Sequence, residues 1–408
     1  MEPWKRNLYA LWGTEFFAAL GMACVLPFLP FYIRELGVQD PHDVERWSGL
    51  VFGGPFFAAT FTGPLWGWLG DRYGRRLMLI RAVIGYAATT FCMAFAATPQ
   101  QLFLLRILQG GIAGFVAATL AIVSTTTPRK HMGYAMGFLQ TSLTAGSIIG
   151  PFIGGFLADL VGYRNIFFIT GCFGAAAAVM VVFFVHEDKN TSEKRESPGL
   201  LSNYRFFFTS PALVTIFFAS ICVQTGIMAI QPVLSLFVET LWANTEYVAT
   251  LAGAVFAITG FASLISAPYW GRRGDRLGVK RVLAINILGT ALTFAPQAFV
   301  TQAYQLLLLR FIHGLFVGGI LPALYTLTTL NVPEERRGGV LGITRSGLMI
   351  GNVIGPISGG FLSAAIGIRP LFVLTATLLA SVFFIAGRFL PDGATPATKG
   401  GKPAGPGP

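Results

Sequence analysis

The stretch Gly67-Trp-Leu-Gly-Asp-Arg-Tyr-Gly-Arg-Arg-Leu-Met-Leu79 returns 204 residues later as Gly271-Arg-Arg-Gly-Asp-Arg-Leu-Gly-Val-Lys-Arg-Val-Leu283. Each copy is a hydrophilic knot between long apolar runs, with Asp, Gly and a basic cluster at matched positions. Pro64-Leu-Trp-Gly leads into the first knot and Pro268-Tyr-Trp-Gly into the second. Arg106 and Gly110 map at the same offset onto Arg310 and Gly314. Gly150-Pro151 with Gly154-Gly155 maps at 205 onto Gly355-Pro356 with Gly359-Gly360, and Pro27 onto Pro232. The chain is therefore two similar halves of about 200 residues. A repeat at that scale in an apolar chain points to a membrane transporter.

Composition fixes the class. The chain is 54% hydrophobic and 12% charged, about half the charge of an ordinary soluble domain. Twelve apolar runs can each cross a hydrocarbon core: roughly 8–33, 47–69, 77–97, 101–126, 133–160, 164–185, 209–238, 247–270, 280–300, 303–330, 338–364 and 369–390. Lipid requires every backbone group to be satisfied within its own segment, so an all-α polytopic bundle is expected. The alternating strands of an outer-membrane barrel are absent from the sequence.

The net charge of +11 raises nucleic acid as a partner, so its placement decides. With both termini in the cytoplasm, 22 of the 29 Lys and Arg residues fall in cytoplasmic segments or, like Arg81, Lys280, Arg281 and Arg388, near the cytoplasmic ends of the runs. Arg34, Arg46, Arg164 and Arg369 lie in outer loops, and Arg106, Arg310 and Arg345 within spans. That asymmetry is the positive-inside pattern of a cytoplasmic-membrane protein, and it accounts for the basic balance without nucleic acid.

Lys5 and Arg6 ahead of the first run resemble a secretory signal, but the run is too long for one and is read as a retained first span. Cys24, Cys92, Cys172 and Cys222 all fall inside spans, which reads as small packing residues with no metal spacing. Residues 1–186 read as the first six-helix bundle, 187–208 as a charged cytoplasmic linker, 209–390 as the second bundle, and 391–408 as a disordered tail. No Gly-x-x-x-x-Gly-Lys-Ser/Thr loop occurs, so neither nucleotide nor cofactor is expected, and a gradient or an unseen partner must drive the cycle.

The two Gly-x-x-x-Asp-Arg-x-Gly knots, the Arg106-x-x-Gln-Gly110 run and the Gly150-Pro151 motif together resemble the major facilitator superfamily. Trp4-Lys-Arg-Asn-Leu8 and Pro27-Phe-Leu-Pro30 are similar to its drug:proton antiporter group. The resemblance implies twelve helices in two pseudo-symmetric bundles around a cavity that opens alternately to each side. It also implies lipophilic small molecules and protons as the transported species, and a monomer in the bilayer.

The motifs have physical readings of their own. Gly67, Asp71, Arg72, Gly74 and Arg75, with Gly271, Asp275, Arg276 and Gly278, stand next to helix ends where carboxylates meet helix N-termini and Arg meets acids. Such a cluster suits a gate that latches one packing of the bundle, or alternatively serves only as topogenic charge. Gly146, Gly150 and Gly154 stack on one helix face as a small-xxx-small groove beside Pro151 and Gly155. The resemblance makes this the motif of exporters. Its recurrence at Gly351, Gly355 and Pro356 weakens the inference of direction.

Ionisable residues inside the spans are the sharpest candidates, since each costs about 2.5–3.5 kcal/mol at the bilayer centre. They are Glu15, Arg106, Arg310, His313 and Arg345, and the resemblance puts all but Arg345 on cavity-lining helices. Withdrawn from water, the Glu15 carboxylate is poised to exchange a proton for a cationic substrate; the alternative is that it reaches an interface or bonds a neighbouring helix. Arg106 couples proton movement to the first helix or bonds helices together. His313 stands where Gln109 stands in the first half, as a proton relay or a hydrogen-bonded packing residue. Arg345 reads as structural or gating. Phe16, Phe17, Met22, Gln224, Met228, Gln231 and Tyr325 are candidates for a cavity wall suited to hydrophobic cations. The reading favours a proton-coupled drug exporter over a transporter of one metabolite such as a sugar or organic ion. No nucleophile, base and orienting group assemble to make an enzyme.

Overall fold

The computed structural model describes residues 2–187, 200–242 and 246–389. Among them it is all-helical: α1 (Pro3–Cys24), α2 (Leu29–Glu35), α3 (Pro41–Tyr73), α4 (Arg75–Met93), α5 (Pro99–Ile112), α6 (Phe115–Thr126), α7 (Met132–Val161) and α8 (Tyr163–Phe184) form the first half. The second half is α9 (Leu200–Thr209), α10 (Pro211–Ala229), α11 (Leu234–Thr240), α12 (Val248–Leu277), α13 (Val279–Gln297), α14 (Ala303–Leu330), α15 (Arg337–Ile366) and α16 (Ile368–Phe389).

Ten segments are long and apolar enough to cross a membrane, and the α1–α2 pair makes an eleventh. The twelfth is α3. Its 33 residues exceed the length needed, but its glycines and its internal Pro55 and Pro64 dilute its hydropathy. Of the linker read over 187–208, residues 200–208 lie in helix α9 (Leu200–Thr209), and residues 188–199 lie outside the described residues. The tail read over 391–408 lies outside the described residues.

Three spans that read as continuous are broken. Span 1 bends by 53° between α1 and α2, where Pro27 and Pro30 remove backbone donors. Span 7 breaks at the matching proline, with a 3-10 turn at Gln231–Val233 between α10 and α11. Span 4 breaks at Ala113–Gly114, where Gly114 takes φ +129°. Its partner α14 runs unbroken, so this break belongs to the first half alone.

The repeat is visible in how helices meet. Gly154 and Gly359 sit so close to the backbones of Cys24 and Ala229 that a Cβ at either would overlap them. Gly110 and Gly314 do the same against Pro55 and Thr259. Within the halves, α1 packs on α7 and α8, and α10 on α15 and α16. Across the halves, α7 packs on α12 and α3 on α15.

The closest of those cross-half contacts lie in the halves of these helices away from the knots. There Gly49 abuts the Pro356 carbonyl and Gly253 the Pro151 carbonyl, a reciprocal pair related by the repeat. Gly155 meets Ala249, and Gly360 meets Glu45 and Gly49. An apolar cluster at this end joins Val25, Phe28 and Phe31 of the first half to Leu236, Val248 and Ala249 of the second. Toward the knots, a Cβ at Gly63, Gly67 or Gly271 would meet nothing within 4 Å. The two halves thus meet closely away from the knots, and these three knot-end glycines make no such contact.

Candidate functional site

Glu15 lies midway along α1 and is 2% exposed. Thr119 Oγ1 on α6 bonds Glu15 Oε1, and Ser142 Oγ on α7 bonds Oε2 at 3.1 Å. The same two hydroxyls also lie within bonding distance of their own helix carbonyls, Val116 O at 3.0 Å and Leu139 O at 2.6 Å. A hydroxyl has one proton to give. With Glu15 ionised, the hydroxyls donate to the carboxylate. With Glu15 protonated, the carboxyl can donate to one hydroxyl while both hydroxyls turn back to their carbonyls. Both protonation states are therefore satisfied without moving a heavy atom. No ion pair to Glu15 occurs among the described residues, so a proton or a cationic ligand must offset its charge.

An aromatic ladder leads to this carboxyl along α1 and α7. Trp12 stacks on Phe16 at 5.3 Å and on Phe138 at 5.9 Å, and Phe138 meets Tyr9 and Tyr134. Trp12 is fixed by donating from Nε1 to Thr141 Oγ1 at 2.9 Å. Phe16 and Phe17, expected on the wall, are half-buried, as are Met22, Gln224, Met228, Gln231 and Tyr325. Gln224 donates from Nε2 to Asn352 Oδ1 at 2.7 Å, tying α10 to α15. Sequence reading missed Trp12, Phe138 and Asn352, since nothing sets one aromatic or amide apart in apolar runs.

The glycine groove packs on the helix that carries Glu15. Gly146 faces Phe16, Ala19 and Leu20, Gly150 faces Leu20 and Ala23, and Gly154 faces Cys24. Gly155 and the Pro151 carbonyl turn instead to α12 of the other half. One motif thus joins the Glu15 helix to the cross-half seam.

Asp71 pairs with Arg75 at 3.5 Å one turn away, and Arg75 Nη1 also donates to Ala121 O on α6 at 2.9 Å. Glu187 accepts from the backbone N–H groups of Arg75 at 3.1 Å and Arg76 at 2.7 Å, capping α4 from a distance. Arg72 lies over Trp68 and Tyr73. Gly74 and Gly278 take φ of +105° and +88° and form the turns of the two knots. Helix α6 is thereby held at both ends of its function: Thr119 grips Glu15, and Ala121 grips the knot. Arg81, stacked over Trp66 at 3.4 Å, donates to Ala113 O at 3.3 Å where the span breaks. Glu187 and Arg81 were also missed by the sequence reading, because their partners are remote in the chain.

Arg106 is 6% exposed and donates from Nε to Val51 O at 3.2 Å and from Nη1 to Gln109 Oε1 at 2.8 Å. Gln109 Nε2 passes the chain on to Thr90 Oγ1 at 2.9 Å. These bonds join α5 to α3 and α4 and do not reach α1. His313 is 1% exposed, bonds Thr293 Oγ1 through Nδ1 at 3.1 Å and lies edge-on to Phe294. It is on the second half and is not brought to Glu15. Arg345 is exposed. Cys24 is buried, whereas Cys92 and Cys172 are exposed, so the packing role read for all four cysteines does not extend to those two.

The cross-half seam is latched by polar contacts that sequence reading also missed. Arg34 Nη1 donates to both Glu239 carboxylate oxygens at 2.7 Å, joining α2 to α11. Asp159 at the end of α7 accepts from Ala249 N at 3.2 Å, Thr250 N at 2.7 Å and Thr250 Oγ1 at 2.6 Å. Tyr247, in the N-cap position of α12, takes a left-handed φ of 59° and gives no side-chain cap. The carboxylate from the opposite half caps the helix in its place.

Two repeated helical halves with spans long and apolar enough to cross a bilayer, meeting in a glycine-lined seam and carrying a buried carboxyl inside the first, define the class: a polytopic helical membrane transporter. The Major Facilitator Superfamily sequence model matches residues 11–245 and 216–406, and the chain belongs to that superfamily. It is 35% identical over 383 residues to the multidrug resistance protein MdtG of Proteus mirabilis (strain HI4320), covering 94% of each chain. It is 36% identical over 387 residues to MdtG of Rahnella sp. (strain Y9602), covering 94% of this chain and 92% of that one. In fold it resembles the nucleoside transporter NupG, with a TM-score of 0.80 at 15% identity over 95% of this chain and 98% of that one. A bacterial homologue of the human lysosomal transporter Spinster, inward-facing and occupied, gives 0.78 at 18% identity over 96% and 98%. At such identities these two solved structures speak to fold alone.

Proposed function

We propose that the chain is a secondary transporter that exports lipophilic, often cationic, small molecules in exchange for protons, by alternating access in the bacterial cytoplasmic membrane. The relatives are named for multidrug resistance, and the aromatic ladder beside a buried acid suits that substrate class. The knot end is the cytoplasmic one on this reading, since Arg72, Arg75, Arg76, Arg129, Lys130, Arg272, Arg273, Arg276, Lys280, Arg281, Arg336 and Arg337 crowd it. The described conformation is then inward-open, awaiting substrate from the cytoplasm or inner leaflet.

Glu15 carries the proposal. A carboxylate held by two hydroxyls that serve either protonation state is a site where a proton and a cation compete. A cation that binds displaces the proton inward, and a proton arriving from outside expels the cation. Helix α6 transmits the exchange: a change at Thr119 pulls on Ala121 and so on Arg75 and Asp71. Gly63, Gly67 and Gly271, open in this conformation, leave room for α3 and α12 to approach other helices when the knot end closes. Residues 1–186 and 209–390 act as the two rocking bodies, and the chain works as a monomer.

The test is reconstitution into vesicles with an imposed pH gradient and a fluorescent lipophilic cation. Gradient-driven movement of the cation, with protons moving the other way, is the expected result. Transport indifferent to the gradient would refute proton exchange.

A further inference from the structure

We propose that Arg310 holds a small monovalent anion inside the second half, at a site separate from Glu15. Arg310 on α14 is 2% exposed, and its guanidinium lies 5.8 Å from the ring centres of both Phe294 and Phe372. Its Nε and Nη2 are buried and have no hydrogen-bond acceptor among the described residues. These two nitrogens share one edge of the guanidinium. Their N–H bonds run parallel and form the fork that grips a carboxylate or a halide. Ring faces offset part of the charge but accept neither proton in line.

The repeat shows what is missing. In the first half, Arg106 gives Nε to Val51 O and Nη1 to Gln109 Oε1. At the matching positions, Val255 O accepts from Thr259 Oγ1, and His313 turns its Nδ1 to Thr293. Helices α10, α13, α14 and α16 contain no Asp or Glu. Of the neighbouring helices, α11 carries Glu239, which Arg34 engages, and α12 carries Asp275 in its last turn at the knot end, and neither bonds Arg310. Leaving a charge buried and unpaired costs several kcal/mol. A monovalent anion neutralises Arg310, whereas a divalent one would leave a negative charge stranded in the same apolar walls. Chloride and a short carboxylate share this chemistry.

The experiment uses the purified full chain in lipid nanodiscs at fixed pH and ionic strength. Thermal unfolding is followed as bulky gluconate is replaced by chloride, formate or sulfate. Chloride or formate should raise the midpoint saturably and sulfate should not. The ion that saturates at the lower concentration identifies the source. Arg310→Gln should abolish the rise. Arg310→Lys keeps the charge but not the fork, and should need roughly tenfold more anion. A midpoint blind to anion identity, or an unchanged rise in Arg310→Gln, overturns the proposal. Should Arg310→Gln fail to fold, radiolabelled chloride on the unaltered chain decides: saturable binding displaced by formate supports the site, and its absence refutes it. Glu15→Gln should retain the anion-dependent rise, so failure of proton exchange and failure of this site are read separately.

Discussion

Glu15 departs from the repeat. At the matching offset stands Ser220, which only bonds back to Ile216 O at 2.7 Å. A fold that builds its second half without an acid there does not need one in the first for packing, which argues for chemistry. The residue was legible in the sequence because an acid inside a span is costly and rare. Its partners were not, since Thr119 and Ser142 look like any of the hydroxyls that bond back along helices. Removing one hydroxyl takes a hydrogen bond of about 1.5–3 kcal/mol from the ionised state. Thr119→Val should therefore slow pH-driven cation efflux by roughly tenfold or more at unchanged membrane insertion. Efflux at the normal rate in that variant would make Thr119 a bystander.

At the level of elements, what the sequence revealed and what it hid divide by chain distance. Span positions, both knots and the glycine pairs follow from local apolarity and from the repeat. The helix ends do not: Glu187 caps α4 from more than a hundred residues away, and Asp159 caps α12 from the other half. Nothing near those helix starts announces such partners. The break at Ala113–Gly114 was equally hidden, because two small residues fit a helix as readily as a hinge, and only Arg81 over Trp66 distinguishes this one. The knot itself bears a prediction. Asp71→Asn loosens Arg75, which also holds Ala121 of α6, so the protein should insert normally and transport several-fold more slowly. Asp275→Asn should have the smaller effect, because its surroundings depart further from the first knot. Equal, normal rates in both would leave the knots as topogenic charge alone.

As a whole the molecule is two repeated helical halves that meet in one close-fitting seam. Glycine-to-backbone contacts make that seam close-fitting, and the Arg34–Glu239 pair and the Asp159 cap latch it. The ion pair is partly exposed and contributes about 0–1 kcal/mol. The cap contributes more, because breaking it leaves helix donors unpaired. Asp159→Ala should shift the population toward the form open at this end by roughly tenfold. Spin-label distances across α7 and α12 at that end should lengthen; an unchanged distribution would remove Asp159 from the latch.

On the proposed function a proton and a cation compete for Glu15, and charge makes that competition testable. Exchange of one monovalent cation for one proton moves no net charge, so the pH gradient alone drives it. A neutral substrate moved against one inward proton also gains about 2.3 kcal/mol per 100 mV of membrane potential. The decisive measurement is efflux of a cationic and a neutral lipophilic compound from the same reconstituted vesicles, with and without Glu15→Gln. The substitution should abolish cation efflux and spare more of the neutral efflux, with protein level unchanged. Normal efflux of both compounds by Glu15→Gln would contradict it and put the proton carrier elsewhere.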